Sequence, residues 1–179
     1  MKEYNLKSYK KMRLWINEEL EFQPEIKTVF TKTIDNHSYG IHNINDKSII
    51  VEIFFPRNYS YYGLLGIKYS SDNKLSINIS INEENNLKYQ DSLSYSDKNL
   101  NIGLSEEYST AIMDTAILKL NELQIPSGNF EFNIAISDSI GSSNKVFSII
   151  TNILLELLIV RDYNFTEEML EEIIKNAQN

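Results

Sequence analysis

A long, strongly apolar segment near the C-terminus limits what this chain can fold into. Nine of the thirteen positions from 146 to 158 are large and apolar, among them Val146, Phe147, Ile149, Ile150, Ile153, Leu154, Leu157 and Leu158. A helix with so little polar surface must be covered by a sheet or by other helices. Polar residues interrupt the run, and it is shorter than the ~20 residues that a membrane span needs. We therefore interpret it as a core helix.

The segment before this helix predicts a strand that ends in a capping loop. Phe130, Phe132, Ile134 and Ile136 alternate with polar or small residues, so we expect one face to point to the core. A turn at residues 127–129 precedes the strand. The loop at residues 138–143 offers hydroxyls that can cap the following helix. Residues 102–160 are therefore interpreted as a helix–strand–helix unit.

The N-terminal residues 1–22 are predicted to form a helix. The basis is a set of apolar residues at helical spacing: Leu6, Tyr9, Met12, Ile16 and Leu20. Trp15 lies off this stripe. Pro24 ends the segment, because the residue before a proline avoids the helical region.

Residues 26–97 are predicted to be mostly β, with strands at 29–33, 48–55, 64–70 and 74–82. The last two strands are separated by a short polar turn, so we interpret them as a hairpin. A weak strand is expected at residues 93–95.

Two further helices complete the prediction. Ser105 is expected to cap a helix that runs to Pro126, with two glutamates in its first turn. Thr166 is expected to cap a final helix at residues 166–177, and Phe165 and Leu170 are placed for a hydrophobic staple. The expected fold is a single α+β domain over residues 1–179. Its architecture is a two-layer sandwich of a mostly antiparallel sheet with helices packed on one face.

Charge and composition narrow the classes of partner. The chain has 17 Lys and Arg against 25 Asp and Glu, a formal net charge of -8, and no cysteine. Disulfides and thiolate metal sites are excluded. Nucleic-acid binding is disfavoured, except through association with the ribosome, while a basic protein partner is favoured. No signal peptide or membrane segment is recognised, and we expect a cytoplasmic protein. The oligomeric state stays open.

A short motif carries a resemblance to a known family. The run Gly103-Leu104-Ser105-Glu106-Glu107-Tyr108 is followed by a helix, a glycine-containing turn and an alternating strand. Residues 102–158 thereby resemble domain IV of translation elongation factor G and the ribosomal protection proteins. The resemblance implies a fold of the ribosomal protein S5 domain 2-like group and a ribosome-associated role. The chain has neither a GTPase domain nor a Gly-x-x-x-x-Gly-Lys-Ser/Thr phosphate loop.

The helix start at Gly141, Ser142 and Ser143 is a candidate anion-binding site. It is similar in outline to the Gly-Leu-Gly-Ser-Ser-Ala motif of sugar and mevalonate kinases, which belong to the same fold group. Backbone N–H groups at a helix start can bind a phosphate, which would suggest a nucleotide- or phosphate-binding enzyme. The alternative is that Ser142 or Ser143 simply caps the helix.

The sequence offers little support for other chemistry. His37 and His42 are the only histidines, and they lie in a polar stretch near Asp35 and Asp46. Neighbouring positions in a loop do not establish a two-histidine, one-carboxylate site. No nucleophile elbow of the Gly-x-Ser-x-Gly type occurs. We therefore expect no metal, no cofactor and no catalytic residue.

The candidate partner-binding residues are Arg57, Tyr59, Tyr61 and Tyr62, with Trp15 second. Tyrosine, tryptophan and arginine are enriched at binding hot spots, although loop tyrosines also pack on domain edges. The preferred hypothesis is a non-enzymatic, protein-binding domain, such as an immunity-type protein that neutralises a basic toxin. The alternatives are a ribosome-associated factor and a phosphate- or nucleotide-binding enzyme.

Overall fold

A computed structural model describes residues 1–22, 24–34, 44–56, 61–83, 89, 91–94, 100–125 and 127–178. The described strands are β1 (Lys2–Asn5), β2 (Lys11–Ile16), β3 (Thr28–Ile34), β4 (Lys47–Phe55), β5 (Tyr61–Ser70), β6 (Leu75–Ile81), β7 (Leu100–Ile102) and β8 (Gly128–Asp138). The α-helices are α1 (Glu106–Glu122), α2 (Asn144–Ile159) and α3 (Glu167–Ala177). The helices α1 and α2 pack against the sheet, α3 packs against α2, and the predicted α+β class is confirmed.

The strands form one sheet in the order β1-β2-β4-β5-β8-β6-β3, and β7 pairs with β8 beyond the end of β6. Every pair is antiparallel except β6 with β8. The sheet is therefore mostly antiparallel, as predicted. Within the described chain, β1 and β3 are its two edges.

The face of the sheet that carries the helices forms the main core. α2 lies over β4 and β5 and brings ten buried residues, among them Phe147, Ile150 and Leu154. Each fully buried aliphatic side chain of this size stabilises the fold by about 1.5–3 kcal/mol. The expectation of a core helix is met, and the described chain contains no helix of the length and apolarity needed to cross a membrane.

The opposite face of the sheet carries a smaller apolar cluster, which we call the second core. Its buried members are Trp15, Ile50, Phe54, Tyr62, Leu64, Leu93, Ile102 and Ile136. The cover comes from irregular segments, because Phe22 and Tyr89 pack edge-to-face over it with ring centroids 5.8 Å apart.

The predicted N-terminal helix is wrong, because residues 1–22 contain β1, a short 3-10 helix at Lys7–Tyr9, and β2. Ser8 and Tyr9 adopt φ values of 61° and 59°, which an α-helix does not tolerate. In β2, Met12 faces the helices while Trp15 faces the second core. With apolar side chains on both faces, the strand lacks the simple alternation that would have identified it.

The predicted hairpin between residues 64–70 and 74–82 is also wrong. Both segments are strands, but β8 lies between them, antiparallel to β5 and parallel to β6. The four-residue connection therefore crosses one strand position rather than closing a turn. The strand expected at residues 93–95 is absent from the described positions Leu93 and Ser94, and β7 was missed.

The strand β8 changes phase halfway along its length. Its register with β5 shifts so that Gly66 pairs with Ile134 and Ile67 pairs with Phe132, which leaves Asn133 as an extra residue. Phe132 therefore faces the helices and Ile134 faces the second core. The expectation that all four alternating apolar residues share one face is wrong for this reason.

The helix starts follow the predicted caps with one exception. Ser143 Oγ accepts from Val146 N–H and Thr166 Oγ1 accepts from Met169 N–H, as expected. Ser105 precedes α1 but forms no capping bond through its side chain. Gly103 has φ +95°, and a Cβ there would lie 2.1 Å from the carbonyl oxygen of Asn82. The glycine of the Gly103–Tyr108 motif is thus required by a close backbone approach.

Candidate functional site

A carboxylate is buried on the face opposite the helices. Glu52, on the central strand β4, is completely buried. Its Oε1 accepts from Tyr62 Oη at 3.0 Å and from Leu93 N–H at 2.9 Å. Ser92 Oγ lies 3.3 Å from the same oxygen, and Arg13 Nη1 lies 3.5 Å from Oε2.

Two pKa values in this cluster depart from their ordinary range. Burial raises the pKa of Glu52, against the opposing effect of the Leu93 and Tyr62 hydrogen bonds and the Arg13 charge. Burial, followed by the Glu52 charge, raises the pKa of Tyr62 well above its ordinary value, so its hydroxyl keeps the proton that it donates.

The geometry shows that Glu52 fastens a covering segment to the sheet. Ser92 and Leu93 bind its carboxylate, and Arg13 Nη1 donates to the carbonyl oxygen of Asp91. Glu52 lines neither the cavity beside Ile26 nor the cavity beside Tyr163. This arrangement holds residues 91–94 over the second core, with the Glu52 carboxylate fully buried.

The structure buries two of the predicted partner-binding residues. Trp15 is 7% exposed and Tyr62 is 1% exposed, and both belong to the second core. The surface exposure that was expected of these two side chains is therefore wrong. Tyr61 is half-buried, packed against the main core, and Arg57 and Tyr59 lie outside the described residues.

The candidate anion site is occupied by hydrogen bonds within the chain. Ser142 Oγ donates to the carbonyl oxygen of Tyr62 at 2.7 Å and accepts from Asp138 N–H at 2.8 Å. Gly141 accepts from Tyr62 N–H at 3.0 Å, and Ser143 caps α2. The buried Asp138 carboxylate lies in the same loop and binds Ile140 N–H, which places negative charge where a phosphate would need positive charge. The capping alternative fits these contacts.

The two histidines, His37 and His42, lie outside the described residues. In the part of the chain that is described, no three His, Asp or Glu side chains converge in a way that could hold a metal ion.

The most exposed regular element is the edge strand β3. Six of its seven residues are exposed, and on its inner side it pairs only with β6. Val29 and Phe30 are 48% and 39% exposed, and Ile26, just before the strand, is 50% exposed. We call Ile26 together with Thr28–Ile34 the β3 surface. No other described strand pairs with its outer side, which leaves a row of backbone donors and acceptors at the edge.

The two faces of β3 differ in character. Phe30, opposite Ile79, lies on the helix side of the sheet. Thr31 lies on the other side, where its Oγ1 donates to Asn78 Oδ1 at 2.6 Å. Asn78 Nδ2 in turn donates to Asn129 Oδ1 at 2.5 Å, so this side of β3, β6 and β8 is linked by polar side chains. Beside it, a cavity of about 290 Å³ is floored by Ile50, Gly66 and Ile134 and bordered by Ile26.

The sequence reading predicted a strand at residues 29–33 but missed that it is an exposed edge. A signal was present, since a lysine inside a short threonine-rich strand is typical of edges. A comparison with protein-family models, characterised proteins and solved structures finds no match for the chain.

Proposed function

We propose that this protein is a protein-binding domain that engages its partner through the β3 surface. The observation that carries the proposal is a seven-residue edge strand with exposed apolar residues and no described strand on its outer side. A partner segment that pairs with β3 would add a strand to the sheet.

Hydrogen bonds between the two backbones would supply the affinity for the partner. Contacts of the side chains would supply the selectivity. Each added backbone hydrogen bond contributes about 0.5–1.5 kcal/mol net. Val29 and Phe30 point to opposite faces, so a paired strand would meet apolar surface on both sides. Burying part of these side chains adds about 25 cal/mol for each Å² of apolar surface removed from water.

The proposal keeps the expectation of a non-enzymatic, cytoplasmic domain. An immunity-type role against a basic toxin stays a prediction from size and charge, and β3 does not add to it because the strand contains Lys32 and no carboxylate. The resemblance to elongation factor G domain IV and the phosphate-binding alternative also stay predictions.

Comparative capture from the native lysate tests the proposal. The tagged wild-type chain is compared with a Val29→Asp, Thr31→Asp double variant, and bound proteins are identified by mass spectrometry. We expect a partner to be lost about tenfold or more from the variant, because two carboxylates on a strand edge oppose pairing. Leu118→Asp is the matched control, since Leu118 is exposed on α1, away from β3.

The melting temperature of each variant must stay within a few degrees of wild type, since exposed substitutions usually change the unfolding free energy by about 0.5 kcal/mol or less. A partner that is captured equally by the wild type and the double variant contradicts the proposal. Ribosomal proteins that disappear after nuclease treatment would instead support the ribosome-associated alternative.

A further inference from the structure

We propose that the partner of β3 is a second copy of this chain, paired antiparallel about a two-fold axis at Thr31. This inference rests on the proposed function, because it uses the same edge. It would join two eight-stranded sheets into one continuous sheet across the dimer. Each copy contributes the same strand, β3, to the contact. A closed two-fold dimer requires this use of one surface by both copies.

The sequence of β3 is complementary to itself in this register. With Thr31 opposite Thr31 of the second copy, each Lys32 lies opposite Phe30, each Val29 opposite Thr33, and each Thr28 opposite Ile34. Residues directly opposite in an antiparallel pair lie about 4.5–5.5 Å apart, close enough for their side chains to contact.

These pairs are favourable on both faces of the joined sheet. On the helix side, Lys32 and Phe30 alternate across the axis, which brings each ammonium group next to an aromatic ring. On the other side, Val29, Thr31 and Thr33 meet only β-branched residues, which favour β-structure. No two like charges lie directly opposite one another, because Lys32 is the only charged residue of the strand.

The charge on β3 disfavours a basic partner, and the choice of a second copy rests on the residue pairs of this register. A basic segment on β3 would meet Lys32 and find no carboxylate on the strand. In the paired register a second copy places its own Lys32 diagonally across the axis, about 7–8 Å away, and opposite Phe30 rather than opposite another lysine. Each whole chain carries a net charge of -8, so the two copies also repel at long range. Added salt screens this repulsion, so we expect the self-association to strengthen as the salt concentration rises. A complex with a basic protein would weaken instead.

The size of the contact sets the expected strength. A pair of seven-residue strands is a small interface compared with the roughly 1,000 Å² typical of stable complexes. The dimer is therefore expected as a concentration-dependent equilibrium, which sedimentation velocity over a dilution series measures directly.

The absence of native cysteine permits a register-specific crosslink. In the Thr31→Cys variant the two sulfurs would lie opposite each other at the axis, within the Cα separation of about 4.4–6.8 Å that a disulfide needs. Mild oxidation should then yield a covalent dimer. Thr33→Cys is the matched control on the same face of the same strand. Its two copies would be offset by four residues, about 13 Å, and should not crosslink.

A mixture of two cysteine variants gives a second test of the register. Val29→Cys and Thr33→Cys chains should crosslink to each other, because these positions are opposite across the axis, and neither should crosslink to itself. Thr31→Lys should weaken the association about tenfold or more, since it places two ammonium groups directly opposite each other. This variant changes an exposed side chain, and circular dichroism checks that it folds.

Sedimentation as a monomer at every concentration overturns the inference, as does a dimer that Thr31→Lys leaves unchanged or a Thr33→Cys chain that crosslinks to itself. A monomeric chain that still captures another protein through β3 would end the self-pairing inference alone. Capture that is insensitive to the β3 substitutions would end the proposed function as well.

Discussion

The two edges of the sheet are built in opposite ways. The β1 edge is short, and the residues around it are fastened to the rest of the molecule. Tyr4 and Leu6 are buried in the main core, and Lys7 N–H donates to Glu171 Oε1 of α3 at 2.6 Å. The β3 edge is longer, and all its residues but the last are exposed.

Burial distinguishes the two edges more clearly than charge does, because Lys32 places a charge on β3 as well. Around β1, the N-terminal ammonium pairs with Glu18, and Arg13 Nε lies 2.7 Å from Glu3 Oε2. The strand β3 contains no carboxylate. Charged and covered edges resist pairing with other chains, whereas an exposed apolar edge invites it. The comparison indicates that one edge is protected and the other is available.

The largest expected effect on stability comes from removing the buried carboxylate of Glu52, which contacts Arg13 on β2, the strand next to β1. Glu52→Ala leaves the Leu93 N–H and the Tyr62 hydroxyl without their buried acceptor, at a cost of about 1–3 kcal/mol for each group. Urea unfolding should show this loss. Hydrogen exchange should rise in β2, whose Arg13 contacts Glu52, and should stay unchanged in β3. Faster exchange in β3 to the same extent would show that the two halves are not independent.

A smaller loss of stability is expected from Asn82→Ala. Asn82 directly follows β6, the strand that pairs with β3. Asn82 is buried, its Oδ1 accepts from Leu104 N–H at 2.7 Å, and its Nδ2 donates to the carbonyl oxygen of Asn133 at 2.6 Å. Asn82→Ala leaves both groups unpaired, at a cost of about 1–3 kcal/mol. Asn73→Ala, in an exposed turn, is the control. If Asn82→Ala unfolds at the wild-type urea concentration, these hydrogen bonds do not hold the β3 half.

The smallest expected effects are on the pH dependence of stability. Glu52 and Glu171 should change the unfolding free energy in opposite directions as the pH rises. Burial raises the pKa of folded Glu52 above the ordinary value of 4.5. Its stabilising contribution is therefore present below that value and is lost as the pH rises through the raised pKa. The Lys7 N–H bond lowers the pKa of Glu171, so its contribution is present above 4.5 and is lost as the pH falls through the lowered pKa.

Urea unfolding between acidic and neutral pH measures both contributions. We compare the unfolding free energy of each variant with that of the wild type at each pH. As the pH rises, this difference should move in favour of the Glu52→Gln variant and against the Glu171→Gln variant. The same sign for both variants would contradict the assignment. Lys32→Gln is the control on the other edge, where no carboxylate is available on the strand to titrate.

Some elements were predictable because their signals are local. The periodicity and caps of α1, α2 and α3 lie within each segment, and the strand β4 has a run of β-branched and aromatic residues. The sandwich class follows from the number and order of these elements. The alternation in β8 indicated a strand correctly, but its faces were wrong because the bulge at Asn133 becomes visible only in the pairing with β5.

The candidate site was less predictable, because exposure depends on neighbours that are distant in the chain. The aromatic residues Trp15 and Tyr62 have the composition of a binding surface, yet Tyr89 and residues 91–94 cover them and Glu52 binds the Tyr62 hydroxyl. The strand β3 has an ordinary sequence, and its position at the end of the sheet leaves its outer side without a described partner strand.

The sequence by itself determined the helices, most of the strands and the need for a sheet to cover an apolar helix, because these depend on side-chain periodicity within short segments. Only the tertiary structure decided that β8 enters between β5 and β6, that the N-terminal residues form strands, and that no described strand pairs with the outer side of β3. Strand order is set by contacts between residues far apart in the chain. A local pattern specifies which face of a strand is apolar, but it does not specify which strand lies beside it.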